Sequence, residues 1–91
     1  MDIEYDTNKD AANREKHGVS LSFGAEVFGD VDHVIVSSSR PIDGEDRFKV
    51  IGEVSGRLWT AVYVQREAAT RFISVRKSND GEQRYYRGNS G

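Results

Sequence analysis

The chain has 91 residues, with 13 Lys and Arg against 15 Asp and Glu for a formal net charge of −2, and it contains two histidines and no cysteine. This size indicates one domain with a small core, and the missing thiols exclude disulfides and thiolate chemistry. No metal cofactor, membrane helix or signal peptide is expected, because the sequence lacks zinc-like ligand spacing, long apolar runs and a leader pattern, so the expected location is the cytoplasm.

The N-terminal part of the chain predicts a short strand followed by two short helices. Alternation of apolar and charged residues around residues 3–5 predicts the strand. Asp6 or Thr7 can cap the first helix, and Gly18 can end it in a left-handed turn. Ser20 can then cap the second helix. Because both helices have an apolar side, they need a sheet to cover them.

Four further strands and a last helix are predicted in the rest of the chain. Apolar and polar residues alternate in the strands, and tight turns at Ser55-Gly56 and near Glu67 join three of them into an antiparallel meander. The predicted strands are residues 33–38, 47–54, 58–65 and 72–76, and Ser78, Asn79 or Asp80 caps a helix that ends near Arg87.

This order of elements, β-α-α-β-β-β-β-α, predicts a single α+β domain of residues 1–87, in which an N-terminal helix pair and a C-terminal helix pack on an antiparallel sheet. Residues 88–91 are expected to form a flexible tail. The core is expected between the helix pair and the aliphatic face of the sheet. Its predicted members are Leu21, Ala25, Phe28, Phe48, Val50, Val54, Leu58, Val62, Val64, Ile73 and Val75.

Pleating then predicts an opposite sheet face on which cations and aromatic rings share one surface. Rings can stack on bases and cations can bind phosphates, so this face suits single-stranded RNA. The alternative is that the C-terminal helix covers the face, with Tyr86 attaching the helix to the sheet and the rings forming a second small core. The predicted members are Arg47, Lys49, Glu53, Trp59, Tyr63, Phe72, Ser74 and Arg76.

The distribution of charge is compatible with such a site. Residues 1–55 carry 6 Lys and Arg against 12 Asp and Glu, whereas residues 56–91 carry 7 against 3. This asymmetry has two equally good explanations. One is a basic site on an otherwise acidic domain, and the other is that solvated surface charges are simply distributed unevenly.

RNA cleavage by internal transesterification could use these groups without a metal ion. The reaction needs a base for the 2′-hydroxyl proton, an acid for the departing 5′-oxygen and cations that stabilise the phosphorane. Arg47, Arg76 and Lys77 suit the last role, since a guanidinium keeps its charge and binds phosphate with a fork. The candidate proton carriers are Glu53, Glu82, His17, Tyr63 and Tyr86.

Structural roles remain open for several of these residues. His17 can instead stabilise the C-terminal end of its helix, and Lys16 can be a solvated helix charge. Glu82 can pair with Arg76 or Lys77 in a structural role as readily as it can transfer protons.

Two sequence blocks, in this order, resemble the BrnT toxin family. The resemblance covers roughly residues 1–86. The blocks are Lys16-His17-Gly18-Val19-Ser20 and Arg71-Phe72-Ile73-Ser74-Val75-Arg76-Lys77, with further matches at Asp6, Lys9, Asn13, Ala25, Phe28, Gly44-Glu45-Asp46-Arg47-Phe48, Gly52, Glu82 and Tyr86.

The resemblance implies a type II toxin of a bacterial toxin–antitoxin system, with a RelE-like ribonuclease fold that cleaves RNA without metal and inhibits translation. It also implies a BrnA-type antitoxin that neutralises the toxin, binds DNA and dimerises, giving an assembly of two toxins and two antitoxins that represses its own operon. DNA is then contacted only through the antitoxin. The resemblance draws attention to seven residues without settling which of them are catalytic: Lys16, His17, Arg47, Arg76, Lys77, Glu82 and Tyr86. Together with the predicted sheet face, it leaves His17, Arg47, Arg76, Lys77, Glu82 and Tyr86 as the catalytic candidates, and Lys16, Lys49, Glu53, Trp59, Tyr63 and Phe72 as candidates for substrate binding.

The last helix departs from the family pattern. It begins Ser78-Asn79-Asp80-Gly81 and continues Glu82-Gln83, which lowers the positive charge that the family has there. Two other functions therefore stay open. One is a degenerate toxin-fold module that only binds its antitoxin and modulates operon repression, and the other is a general binder of single-stranded RNA.

Overall fold

A computed structural model of the protein describes residues 1–89, and this part of the chain forms five strands and three α-helices. The order of elements is the predicted one, and the domain is α+β. The strands are β1 (Asp2–Glu4), β2 (Val34–Ser37), β3 (Phe48–Val54), β4 (Arg57–Arg66) and β5 (Ala69–Lys77); the helices are α1 (Thr7–His17), α2 (Gly24–Phe28) and α3 (Asp80–Asn89), with 3₁₀ turns at Leu21–Phe23 and Pro41–Asp43.

The C-terminal helix is longer than predicted. It runs two residues past Arg87, to Asn89. The first half of the predicted tail is therefore helical, and residues 90 and 91 lie outside the described residues.

The five strands form one mixed sheet in the order β1-β5-β4-β3-β2. The prediction of a wholly antiparallel sheet is wrong for β1, which pairs with β5 in parallel. The other neighbours are antiparallel, as predicted. Ser55 (φ 51°) and Gly56 (φ 81°) make the turn between β3 and β4, and two successive positive φ angles are typical of the type I′ hairpin turn.

The predicted caps of the helix pair are confirmed. The Asp6 carboxylate accepts hydrogen bonds from the backbone N–H groups of Asn8 (2.8 Å) and Lys9 (3.0 Å), and so begins α1. Gly18, with φ 79°, ends α1 in the left-handed region. Ser20 caps the following turn by accepting from the Ser22 N–H at 3.2 Å.

Aromatic side chains form much of the core between the sheet and the helix pair, which contradicts the predicted faces. Trp59, Tyr63 and Phe72 are buried there, and the Trp59 ring lies edge-on to Phe23 at 5.0 Å between centroids. Their predicted role as an RNA-stacking surface beside Arg76 is therefore wrong. The buried members of this core are Leu21, Val27, Val50, Trp59, Ala61, Tyr63, Phe72 and Val75.

The opposite face of the sheet is covered by α3. Ile51, Leu58 and Tyr86 are buried there together, with Val34 and Val36 packed against them. Leu58 was predicted on the helix-pair side and is a second correction. The alternative is confirmed in that the C-terminal helix covers this face, but it is wrong about the rings, because the apolar sheet residues beneath the helix are aliphatic.

Two polar side chains close the sheet where its edges are incomplete. Because β1 pairs only with residues 69–71, the rest of β5 has an open edge, and the Asn13 amide fills it by donating to the Val75 oxygen (2.9 Å) and accepting from the Val75 N–H (3.1 Å). On β3, the pairing with β2 reaches only to Ile51, and the Asp30 carboxylate takes the place of a strand partner further along by accepting from the Glu53 N–H at 2.7 Å. The Asn13 contact fixes α1 along β5 and sets the position of His17, one helical turn further on.

We expect Gly52→Ala to lower the free energy of unfolding by about 1–3 kcal/mol, because overpacking a filled core forces backbone shifts. A Cβ at Gly52 would collide with the carbonyl oxygen of Val27 in α2. Gly81→Ala is the matched control, since a Cβ there meets nothing closer than 3.5 Å and alanine favours the helix. Urea unfolding measures both variants. Equal stability of Gly52→Ala and the parent chain would show that α2 does not approach β3 this closely.

Candidate active site

The first turn of α3 fixes a carboxylate against the sheet. Asn79 Oδ1 accepts from the Glu82 N–H at 2.8 Å, and Glu82 Oε1 accepts from the Asn79 N–H at 2.9 Å. This reciprocal pair is a capping box, so the same contacts that begin the helix also orient the Glu82 side chain. Asn79 is thus the capping residue among the three that were predicted.

Glu82 is the centre of a charged cluster under α3. Arg76 donates two hydrogen bonds to its carboxylate, at 2.7 and 2.9 Å, and Lys49 Nζ donates one at 3.0 Å. The Thr60 hydroxyl donates a further bond at 2.9 Å, and Glu82 itself is only 3% exposed. Arg76, Lys49 and Glu82 are therefore brought together as predicted, with Glu82 in a pairing role.

The surroundings of Glu82 lower the pKa of its carboxyl group. Burial raises the pKa of its carboxyl, but the hydrogen bonds from Arg76, the Asn79 N–H, Lys49 and Thr60 outweigh burial and lower the pKa from 4.5 to about 2. At neutral pH the group carries no proton to give, and its lone pairs are occupied. A proton-carrier role for Glu82 would require these bonds to open.

Arg76 keeps part of its surface available. The hydrogen bonds from its guanidinium to Glu82 raise its pKa further, and they fix the side chain in one orientation. The side chain is still 30% exposed. Arg76 is thus a permanently charged, oriented fork that can also meet an anion.

His17 lies in the electrostatic field of this cluster from the side of α1. Burial lowers the pKa of its imidazole below the usual 6.5, and the charges of Lys16 and Arg76 lower it further. A neutral imidazole can accept a proton at neutral pH, whereas stabilising a helix C-terminus needs the charged form. The charge of Arg76, near the end of β5, therefore acts on His17 at the end of α1, where Lys16 directly precedes the histidine.

Arg47 is not part of this cluster. Its Nε lies 3.5 Å from Asp43 Oδ2, and that carboxylate also binds Arg40 at 2.8 Å. In the sheet, Ile51 of β3 and Arg76 of β5 both lie beside Thr60 of β4. Arg47 comes four residues before Ile51, which places it roughly 13 Å away along the strand direction. The predicted grouping of Arg47 with Arg76 is wrong in this arrangement.

Tyr86 has a structural partner of its own. Its hydroxyl donates to Asp30 Oδ2 at 2.6 Å, and this bond, together with burial, raises the pKa of the phenol to about 12. Tyr86 therefore packs α3 on the sheet through its ring, which is the alternative role, and its hydroxyl also ties α3 to the segment after α2. Tyr63 lies in the opposite core, where burial raises its pKa, and the Glu53 side chain is exposed.

Sequence reasoning missed the polar residues that support the cluster. Thr60 is fully buried, and its hydroxyl also lies 2.8 Å from the Ser78 hydroxyl. Thr60 stands directly opposite Arg76 in the ladder, which the β4–β5 register could have indicated. Within residues 1–89, no three His, Cys, Asp or Glu side chains are grouped so that they could hold a metal ion.

The fold and the cluster define a small α+β domain with a cationic, partly open site where β5 ends. A family model described as the ribonuclease toxin BrnT of type II toxin–antitoxin systems matches residues 5–82. The chain belongs to this BrnT family, as its sequence blocks predicted, and so to a group of ribonuclease toxins that act with an antitoxin. No curated protein matches the chain. No helix within residues 1–89 is long and apolar enough to span a membrane.

Proposed function

We propose that the protein is a metal-independent endoribonuclease that cleaves RNA in the cytoplasm and thereby inhibits translation. The observation that carries the proposal is the Arg76 guanidinium, which two hydrogen bonds to Glu82 hold in one orientation while 30% of the side chain stays exposed. The lowered pKa of His17, to which the charge of Arg76 contributes, supports a neutral imidazole that can act as a base. The α+β architecture, with a helix pair on one face of the sheet, supports a RelE-like ribonuclease fold.

In the proposed reaction, His17 accepts the proton of the 2′-hydroxyl, and the resulting oxyanion attacks the adjacent phosphorus. Arg76 stabilises the charge of the phosphorane, and Lys16, next to His17, adds positive charge. The P–O5′ bond breaks to give a 2′,3′-cyclic phosphate and a 5′-hydroxyl. The 5′-oxygen takes its proton from water, because Glu82 and Tyr86 are engaged in structural hydrogen bonds.

The proposed partner is a BrnA-type antitoxin in an assembly of two toxins and two antitoxins, with DNA bound only by the antitoxin. The excess of Asp and Glu in residues 1–55 supports this proposal, because an acidic surface favours a basic, DNA-binding partner. A second candidate function is a non-catalytic module that only binds the antitoxin. It is favoured by the saturation of the Glu82 carboxylate and by the pairing of Tyr86.

The purified chain is expected to cut single-stranded RNA in the presence of EDTA, to leave 2′,3′-cyclic phosphate ends, and to stop when the antitoxin is added in equimolar amount. The cleavage rate should rise with pH until His17 is neutral and then level off, with a midpoint below pH 6.5. His17→Asn, which keeps a polar side chain but cannot take the proton, should remove both the cleavage and this pH dependence. Intact RNA together with tight antitoxin binding would support the non-catalytic module instead, and RNA that is protected from other nucleases would support a simple RNA binder.

A further inference from the structure

We propose that Arg57, Lys77 and Arg87 form a second phosphate-binding pocket, which holds a phosphodiester of the RNA next to the one that is cleaved. This inference rests on the proposed ribonuclease function and extends it. The pocket is a cavity of about 410 Å³ between the start of β4, the end of β5 and one side of α3.

The cavity begins where the candidate active site ends. Lys77 directly follows Arg76 in the chain, and both Lys77 and Ser78 line the cavity. The Ser78 hydroxyl is bonded to Thr60, which in turn binds Glu82. The two sites therefore share a wall, and a strand of RNA that reaches Arg76 can continue into the cavity.

Within residues 1–89, the cations that line this cavity have no carboxylate partner, in contrast to three other arginines of β4 and β5. Arg66 pairs with Glu45 at 3.3 Å, Arg71 with Glu4 at 3.7 Å and Arg76 with Glu82 at 2.7 Å. Among the residues that the structure describes, no carboxylate lies within ion-pair distance of Arg57, which is the first residue of β4.

The other two cations are similarly available. In the described part of the chain, Lys77 also has no carboxylate within 4.0 Å, and the one side-chain hydrogen bond that Arg87 donates there goes to the neutral amide oxygen of Gln83, at 3.3 Å. Glu53 is the one acidic residue among the described residues that line the cavity, against three cationic ones. This excess of positive charge selects an anion.

The chemistry of the lining favours a phosphodiester. Two guanidinium groups and an ammonium suit the geometry of phosphate oxygens, and the Gln83 amide can add a neutral hydrogen bond to a sugar. None of the described residues that line the cavity is aromatic, so the lining suits the nucleic-acid backbone better than a stacked base. The contact is with the backbone, and it positions RNA without reading its sequence.

Arg57→Ala is the test, and Arg66→Ala is its matched control, because Arg66 ends the same strand and is paired outside the cavity. On an RNA of ten nucleotides, Arg57→Ala should raise KM about 5- to 10-fold with kcat unchanged, since a uniform binding contact is lost. The slope of log binding constant against log salt should fall in magnitude by about 0.7, the value for one phosphate contact to a single strand. On a dinucleotide, Arg57→Ala should match the parent chain.

Thermal unfolding of each variant, with Arg57→Lys as a second substitution that keeps the charge, separates a binding defect from misfolding. If the parent chain cleaves RNA and Arg57→Ala behaves like Arg66→Ala, the pocket proposal is wrong while the ribonuclease function stands. If the parent chain binds RNA without cleaving it, the proposed function fails and the salt slope still tests the pocket. If Arg57→Ala weakens antitoxin binding and leaves RNA binding intact, the cavity docks the antitoxin and the proposal is overturned.

Discussion

Replacing Glu82 with alanine is expected to lower the free energy of unfolding by about 3 kcal/mol, because removing one member of a buried charged cluster leaves its partners uncompensated. The Arg76 guanidinium, Lys49 Nζ and the Thr60 hydroxyl would each lose a hydrogen-bond acceptor beneath α3. The capping box that begins α3 would also lose the hydrogen bond from the Asn79 N–H to the Glu82 carboxylate. A domain of this size has roughly 5–14 kcal/mol in total, so the loss is a large share of its stability.

Urea unfolding of the parent chain and of two variants measures this effect. Asp80→Ala is the matched control, since it removes a neighbouring carboxylate from the same first turn of α3, but an exposed one. We expect Asp80→Ala to cost less than about 1 kcal/mol, the size of a helix-dipole effect. Equal losses for Glu82→Ala and Asp80→Ala would show that the cluster does not hold α3 on the sheet.

The same cluster predicts an acid-dependent stability. Because folding lowers the pKa of Glu82 from 4.5 to about 2, its contribution is fully present above pH 4.5 and is lost as the pH falls towards 2. A shift of this size corresponds to about 3 kcal/mol. Glu82→Gln keeps the shape and removes the titration, so its free energy of unfolding should fall less steeply below pH 4.5 than that of the parent chain. Parallel acid profiles for the two proteins would contradict the low pKa.

The sequence was sufficient for the order of elements because the signals for it are local. Asp6, Gly18 and the Ser55-Gly56 turn each act through their own backbone geometry, and each does so in the structure. The parallel pairing of β1 with β5 connects segments more than sixty residues apart, and no local pattern specifies it. The prediction of an antiparallel sheet therefore failed only at this strand.

The exchange of faces along β4 has a physical reason that the sequence did contain. A two-residue turn at Ser55-Gly56 sets Val50 opposite Ala61, and residues directly opposite each other in a ladder share a face. Once Val50 faces the helix pair, Trp59 and Tyr63 must face it too. The prediction that Leu58, Val62 and Val64 share a core with Val50 conflicted with this register. The core between the sheet and the helix pair is filled by the large rings of Trp59 and Tyr63 instead.

The faces along β5 were less accessible from sequence. The register shifts where Val62 pairs with Ser74 and Tyr63 with Phe72, so Ile73 is the extra residue of a β-bulge. The bulge puts both Phe72 and Val75 on the helix-pair side, although simple alternation separates them. No residue there has a turn-forming signature. Arg76 lies beyond the bulge on the face away from the helix pair, as predicted, although α3 packs on that face. The position of His17, in contrast, depends on the long-range contact of Asn13 with Val75.

Arg76→Ala is expected to abolish growth arrest when the chain is expressed and to lower the rate of RNA cleavage by about 10²–10³-fold, the usual effect of removing a preorganised donor from a developing negative charge. Arg76 is held by two hydrogen bonds to Glu82 and is still partly exposed, so its charge is oriented before the substrate arrives. The variant should lose some stability but stay folded, because Glu82 keeps one cationic partner, Lys49, and its bonds from Thr60 and the Asn79 N–H.

Two variants distinguish catalysis from stability in this prediction. Arg71→Ala removes an arginine from the same strand, but one paired with Glu4 at 3.7 Å, and it should stay toxic. Arg76→Lys keeps a positive charge without the fork and should recover only part of the cleavage rate, because an ammonium cannot bind Glu82 and a phosphate oxygen with the same geometry. Thermal unfolding of all three proteins shows whether each is folded. A folded and fully toxic Arg76→Ala would remove this residue from the mechanism and leave His17 without its electrostatic partner.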